Sequence, residues 1–134
     1  MPRYSGRQTA GLEITVAAWR TLAWAAVAAV AAVSLMSTPP LAEELPSFTD
    51  KLVHAGMYGA LALLFRRAYP ARGMLGLGLA LACYGAGLEF VQGLTPDRST
   101  SFADAIANCA GISIILALEA ARTRRRTPVV NTRP

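Results

Sequence analysis

The sequence predicts an all-α fold: a polytopic membrane protein built as a bundle of four transmembrane helices with both termini in the cytoplasm. Three observations carry this reading. The 134 residues are 54% hydrophobic and only 16% charged, against roughly 25% charged in soluble domains. The apolar residues form long runs. Arginines collect at alternate ends of those runs, as the positive-inside rule requires. The net charge of +5 and the pI near 9.9 would also suit a nucleic-acid binder. Arginines confined to the ends of apolar runs instead mark membrane topology, so no nucleic-acid partner is expected.

The first run, Ala17 to Met36, is long enough to cross a hydrocarbon core and stops before Pro39-Pro40. It exceeds the usual signal-peptide core of about 7–15 residues and no A-x-A site follows, so a retained helix is expected. The second, about Thr49 to Phe65, carries Lys51 and His54 near its start, ends at Arg66-Arg67, and is short for a span. The third, Gly73 to Gln92, is apolar until Glu89 and Gln92. Its Gly78, Ala82 and Ala86 form an i, i+4 row of small residues suited to close helix packing. The fourth, Phe102 to about Ala121, begins with Asp104 and Asn108 and ends in Arg122, Arg124, Arg125 and Arg126. Residues 1–16 are thus expected as a cytoplasmic segment, 17–121 as the membrane domain, and 122–134 as a basic tail, disordered or lying on anionic headgroups.

Orientation follows from Arg3, Arg7 and Arg20 at the start of helix one, Arg66, Arg67 and Arg72 after helix two, and the arginines after helix four. These regions belong inside, which places Glu43, Glu44, Asp97 and Arg98 on the extracytoplasmic side. Cys83 and Cys109 lie within apolar runs without C-x-x-C spacing and suggest neither a zinc site nor a disulfide framework.

Helices two and four open alike. Ser47-Phe48-Thr49-Asp50-Lys51-Leu52-Val53-His54 and Ser101-Phe102-Ala103-Asp104-Ala105-Ile106-Ala107-Asn108 share S-F-x-D-x-[LI]-x-[HN]. A duplicated helical hairpin would produce this match, although helices one and three show no comparable similarity. By depth, Asp50, His54, Asp104, Asn108, Glu89 and Gln92 fall in one outer-leaflet layer, and Asp50, His54 and Tyr58 share a helix face.

Bland readings accompany each residue. Ser47 with Asp50 and Ser101 with Asp104 fit capping boxes. Lys51 and Arg98 could snorkel or pair with carboxylates, Tyr58 could pack, and Gln92 could mark a helix end. Glu89 and His54 are the candidate proton-exchanging pair, because ionisable groups within apolar helices are costly without a partner or water. Asp50, one turn before His54, could orient its ring.

At these residues the chain resembles the VanZ-like family of bacterial membrane proteins. The matching pieces are Asp50-Lys51-Leu52-x-His54-x-x-x-Tyr58, Glu89-x-x-Gln92, Thr95-Pro96-x-Arg98-Ser99 and Asp104-x-x-x-Asn108-x-x-Gly111, with Asp97 where Gly is common. The resemblance implies a multi-helix inner-membrane protein of the cell envelope, in a family whose named member is associated with teicoplanin resistance. It implies no known reaction.

Four functions compete on these residues. One is a site for an envelope lipid or cell-wall intermediate, with Asp50, Lys51, Tyr58, Gln92, Arg98, Asp104 and Asn108 binding and His54 and Glu89 handling protons. Ser47, Ser99 and Ser101 look like turn or cap residues, which argues against covalent catalysis. A second is a packing network of Asp50, Lys51, Glu89 and Arg98. Metal binding by His54 with carboxylates is weaker, since one histidine is a thin ligand set, and no cofactor is expected. A monomeric transporter is weaker still, because no helix looks broken. Membrane lipids and a lipid-linked or cell-wall ligand are the expected partners, and oligomerisation is left open.

Overall fold

A computed structural model of the chain describes residues 6–36, 47–94 and 101–126. It is all-helical over those residues, with α1 Gly6–Leu35, α2 Ser47–Ala68, α3 Met74–Gln92 and α4 Phe102–Arg126. Three of the four, within α1, α3 and α4, are long and apolar enough to cross a membrane. The fourth, α2, falls short of that apolarity while being the helix the others surround.

The boundaries differ from the apolar runs in a physically simple way. Helix α1 begins at Gly6, ahead of its apolar run, and α4 continues through Arg126 into the basic segment. Hydropathy marks only the part of a helix that lies in lipid; the backbone ladder continues wherever side chains allow it. At the end of α4, Arg122 pairs with Glu119 one turn earlier at 2.8 Å, and the Thr123 hydroxyl donates to the Glu119 carbonyl at 2.9 Å. The rest of the tail lies outside the described residues, as do Glu43, Glu44, Asp97 and Arg98.

Local chemistry sets each described end. Helix α2 finishes where Pro70 follows Tyr69, because the residue before proline is pushed from helical geometry. Arg66 Nη1 then donates to the Pro70 carbonyl at 2.5 Å, and Arg66 and Arg67 sit favourably at the negative end of the helix dipole. Helix α3 starts after Gly73, which is extended (φ −63°, ψ 138°), and closes at Gly93, whose N–H bonds the Glu89 carbonyl.

Helices α2 and α4 form the most extensive pair and run parallel. Lys51 meets Asp104 near their starts, and Arg67 approaches Glu119 at 3.8 Å near their ends. The crossing is tight at Gly111. A Cβ there would overlap the Ala55 carbonyl oxygen and lie 2.8 and 2.9 Å from the Ala55 carbonyl carbon and Cα. Gly59, one turn further along α2, would place a Cβ 3.3 Å from Ile115 Cγ1 and 3.4 Å from the Gly111 oxygen. Small residues thus do bring helices together, but chiefly on α2 and α4. Of the row expected on α3, Gly78 faces Leu116 of α4 and Ala82 packs on the core, whereas Ala86 is exposed.

Helix α1 packs on α2, and α3 packs on α4, α2 and α1. Tyr58, Leu61, Ala62 and Phe65 of α2 are buried between them, with Ala23 of α1, Leu81 of α3 and Ile112 of α4. The outer surface carries exposed Leu22, Val33, Leu75, Leu79, Phe90, Ile114 and Leu118. In water so many exposed large apolar side chains would be untenable; in a bilayer they are the solvated face. Cys83 and Cys109 are free and exposed on α3 and α4.

Candidate functional site

The match between the openings of α2 and α4 brings corresponding residues into contact. Parallel helices starting at one level place Asp50 and Asp104 on either side of Lys51. The Lys51 ammonium bonds Asp50 Oδ2 at 2.9 Å and forms a close ion pair with Asp104 Oδ1. One turn deeper, the other corresponding pair joins: His54 Nδ1 lies 3.0 Å from Asn108 Oδ1. With the amide oxygen as acceptor, Nδ1 carries a hydrogen and Nε2 is left outside that bond. That nitrogen faces Asp50 Oδ1 at 3.8 Å and Asp104 Oδ2 at 3.9 Å.

Burial grades across the group. Asn108 is 2% exposed, the His54 and Asp104 side chains 15% and 13%, Lys51 33% and Asp50 53%. The cluster is anchored inside and opens at the end of the bundle through Asp50 and Lys51. Its two carboxylates exceed its one ammonium, so an unprotonated His54 leaves one net negative charge, concentrated where Nε2 points. Asp50, His54 and Asp104 each offer one ligand atom, all within 4.8 Å of one another. This is an arrangement for holding a proton, a cation or a hydrogen-bond donor.

Glu89 and Gln92 of α3 do different work from the one expected of them. Glu89 is 7% exposed, and its Oε2 accepts the Ser101 backbone N–H at 3.2 Å. Ser101 in turn caps α4, its Oγ accepting the Asp104 N–H at 3.2 Å. In a capping box Asp104 would reach back to the Ser101 N–H. Here Glu89 takes that donor from the neighbouring helix, and Asp104 turns to Lys51 instead. Gln92, 6% exposed, donates to the Ser34 carbonyl of α1 at 2.6 Å. Among the described residues, no ion pair or hydrogen bond links Glu89 with His54 or Lys51.

No family model, curated protein or solved structure matches the chain. The geometry alone therefore sorts the candidates. It brings Asp50, Lys51, His54, Asp104 and Asn108 into one cluster between α2 and α4. It assigns Glu89 and Gln92 to the seams joining α3 to α4 and α1. Tyr58 is 2% exposed and packs a turn deeper, beside Gly85 and 6.2 Å from the Tyr84 ring. Arg98 lies outside the described residues. Sequence reasoning missed the Ser34 carbonyl as an acceptor, since backbone groups carry no residue signature. As site residues it also passed over Arg20, Trp24 and Tyr69, which meet at the other end of the bundle; the i, i+4 spacing of Arg20 and Trp24 was the available signal.

Proposed function

We propose that the chain is a VanZ-like integral membrane protein of the cell envelope. In this reading Asp50, Lys51, His54, Asp104 and Asn108 bind or process the polar part of an envelope lipid or a cell-wall, glycopeptide-related ligand. The observation that carries it is the His54 ring, held by Asn108 through one nitrogen and presenting the other to two carboxylates at 3.8 and 3.9 Å. A half-buried imidazole so placed suits proton exchange. Asp50 and Asp104 accept from hydroxyl, amide or ammonium groups, and Lys51 can swing toward phosphate or carboxylate.

The arginine distribution supports a place in the bacterial cytoplasmic membrane with both termini inside and this cluster at the extracytoplasmic surface. Cysteines at Glu43 and Leu94 should then label from outside intact cells, while one at Arg67 stays protected. Labelling of Arg67→Cys alone would invert the topology.

A packing role is the competing reading, favoured by the Lys51 ammonium bridging two carboxylates from two helices. His54→Gln separates the two. As a functional residue, its loss leaves the melting temperature in detergent within a few degrees of the parent while glycopeptide protection, or binding of a lipid-linked cell-wall precursor, disappears. As a packing residue, its loss lowers the melting temperature and membrane abundance together. The second outcome would sink the site.

A further inference from the structure

At the end of the bundle opposite the carboxylates, α1, the end of α2 and α3 enclose an open groove of about 700 Å³. That volume is within the range of small-molecule pockets, roughly 300–1,000 Å³. Its walls are apolar: Trp24 and Val27 from α1, Phe65 and Tyr69 from α2, Leu77 and Tyr84 from α3. They are also fixed by their own contacts. Trp24 meets Phe65 edge to face at 5.5 Å and donates through Nε1 to the Tyr69 hydroxyl at 2.9 Å. Tyr84 donates to the Val27 carbonyl at 2.6 Å, tying α3 to α1 at the inner end.

The mouth is cationic. Arg72 lines it, and its guanidinium has no partner among the described residues. Arg20, one turn before Trp24, lies 5.1 Å above the Tyr69 ring and donates through Nε to the Ala68 carbonyl at 3.3 Å. Among the described residues neither arginine has a carboxylate partner; Glu119, near the end of α4, is engaged with Arg67 and Arg122.

We propose that this groove holds one acyl chain of an anionic glycerophospholipid, with the lipid phosphate on Arg72 and Arg20. Length supports the chain. From Gly73 at the mouth to Tyr84 at the inner end is eleven residues of α3, about 16 Å of helix rise, close to half of the ~30 Å hydrocarbon core. Charge supports the headgroup, because arginines at a membrane surface attract anionic lipid. A second copy docking through the same face would bring arginine against arginine instead. This site is separate from the cluster between α2 and α4 and does not depend on its function.

Trp24 is 57% exposed in the groove wall and reports directly on what lies against it. With Trp19→Phe leaving Trp24 as the sole tryptophan, the purified full chain is placed in phosphatidylcholine vesicles containing a minor share of phosphatidylglycerol. Bromine is carried on the acyl chains of one lipid or the other. At equal bromine content, brominated phosphatidylglycerol should occupy the groove with about a tenfold preference, the discrimination expected of one to two arginine contacts. Arg72→Gln should reduce that preference and Arg20→Gln with Arg72→Gln should abolish it, quenching itself remaining. Gly76→Leu fills open space in the groove and should reduce quenching by both lipids. Equal quenching by the two lipids in the parent would overturn the proposal, as would a preference that survives loss of both arginines. So would a chemically crosslinked dimer in which Trp24 is shielded from both, which would give the groove to a second copy.

Discussion

Gly111→Val should lower stability by about 3 kcal/mol or more and drop the melting temperature in detergent by roughly ten degrees. Two effects oppose each other at this position. A side chain in mid-helix recovers up to about 1 kcal/mol of helix propensity relative to glycine. Against it stands the Ala55 backbone, where even a Cβ would overlap the carbonyl oxygen. Overpacking typically costs 1–3 kcal/mol when flexible side chains can give way. Here the obstacle is backbone, so α2 and α4 must separate and the cost exceeds the gain. Gly87→Ala provides the contrast, since nothing lies within 4 Å of its added Cβ, and should be neutral or slightly stabilising. Equal melting temperatures for Gly111→Val and the parent would mean that the two helices are not in backbone contact.

Lys51→Met should be the most disruptive change in the polar cluster, at about 2 kcal/mol. That figure lies between the ~0–1 kcal/mol of exposed ion pairs and the 3–5 kcal/mol lost on breaking a buried one, because Lys51 is one-third exposed and Asp104 mostly enclosed. Removing the ammonium leaves two carboxylates facing each other with His54 between them. Adding Asp104→Asn to Lys51→Met should restore part of the loss by removing one of the stranded charges. A double-mutant cycle from chemical or thermal unfolding measures the coupling. Additive losses from the two single variants would show that the Lys51–Asp104 pair contributes nothing to the bundle.

The number of helices, their order and the parallel course of α2 and α4 could be read from apolar runs and arginines, since both follow from transfer energies that each segment pays on its own. The carboxylate cluster was legible for a related reason. Asp50, His54, Asp104 and Asn108 sit at corresponding places in two similar helix openings, and parallel helices must bring such places together. Glu89 was not legible in the same way. Its partner is the backbone N–H of Ser101, twelve residues away in sequence, a donor that the capping-box pattern assigns to Asp104 of the same helix and not to a side chain of α3. Gln92 likewise bonds a carbonyl of α1. Counting residues along the helices placed Glu89 at the end of the bundle where α4 begins, but level does not say which neighbour a side chain turns toward. Tyr58 shares a helix face with Asp50 and His54, yet Gly85 of α3 leaves room for its ring to be enclosed, and so it belongs to the core.

The helix that the other three surround is the one least able to enter lipid by itself. Charged groups stand at both ends of α2, with Asp50 and Lys51 at the start and Arg66 and Arg67 at the finish. During synthesis Lys51 has only its neighbour Asp50 for company until α4 emerges with Asp104, and His54 waits for Asn108. The polar start of α2 is thus satisfied through its pairing with α4, and membrane insertion of α2 is expected to depend on α4 being present.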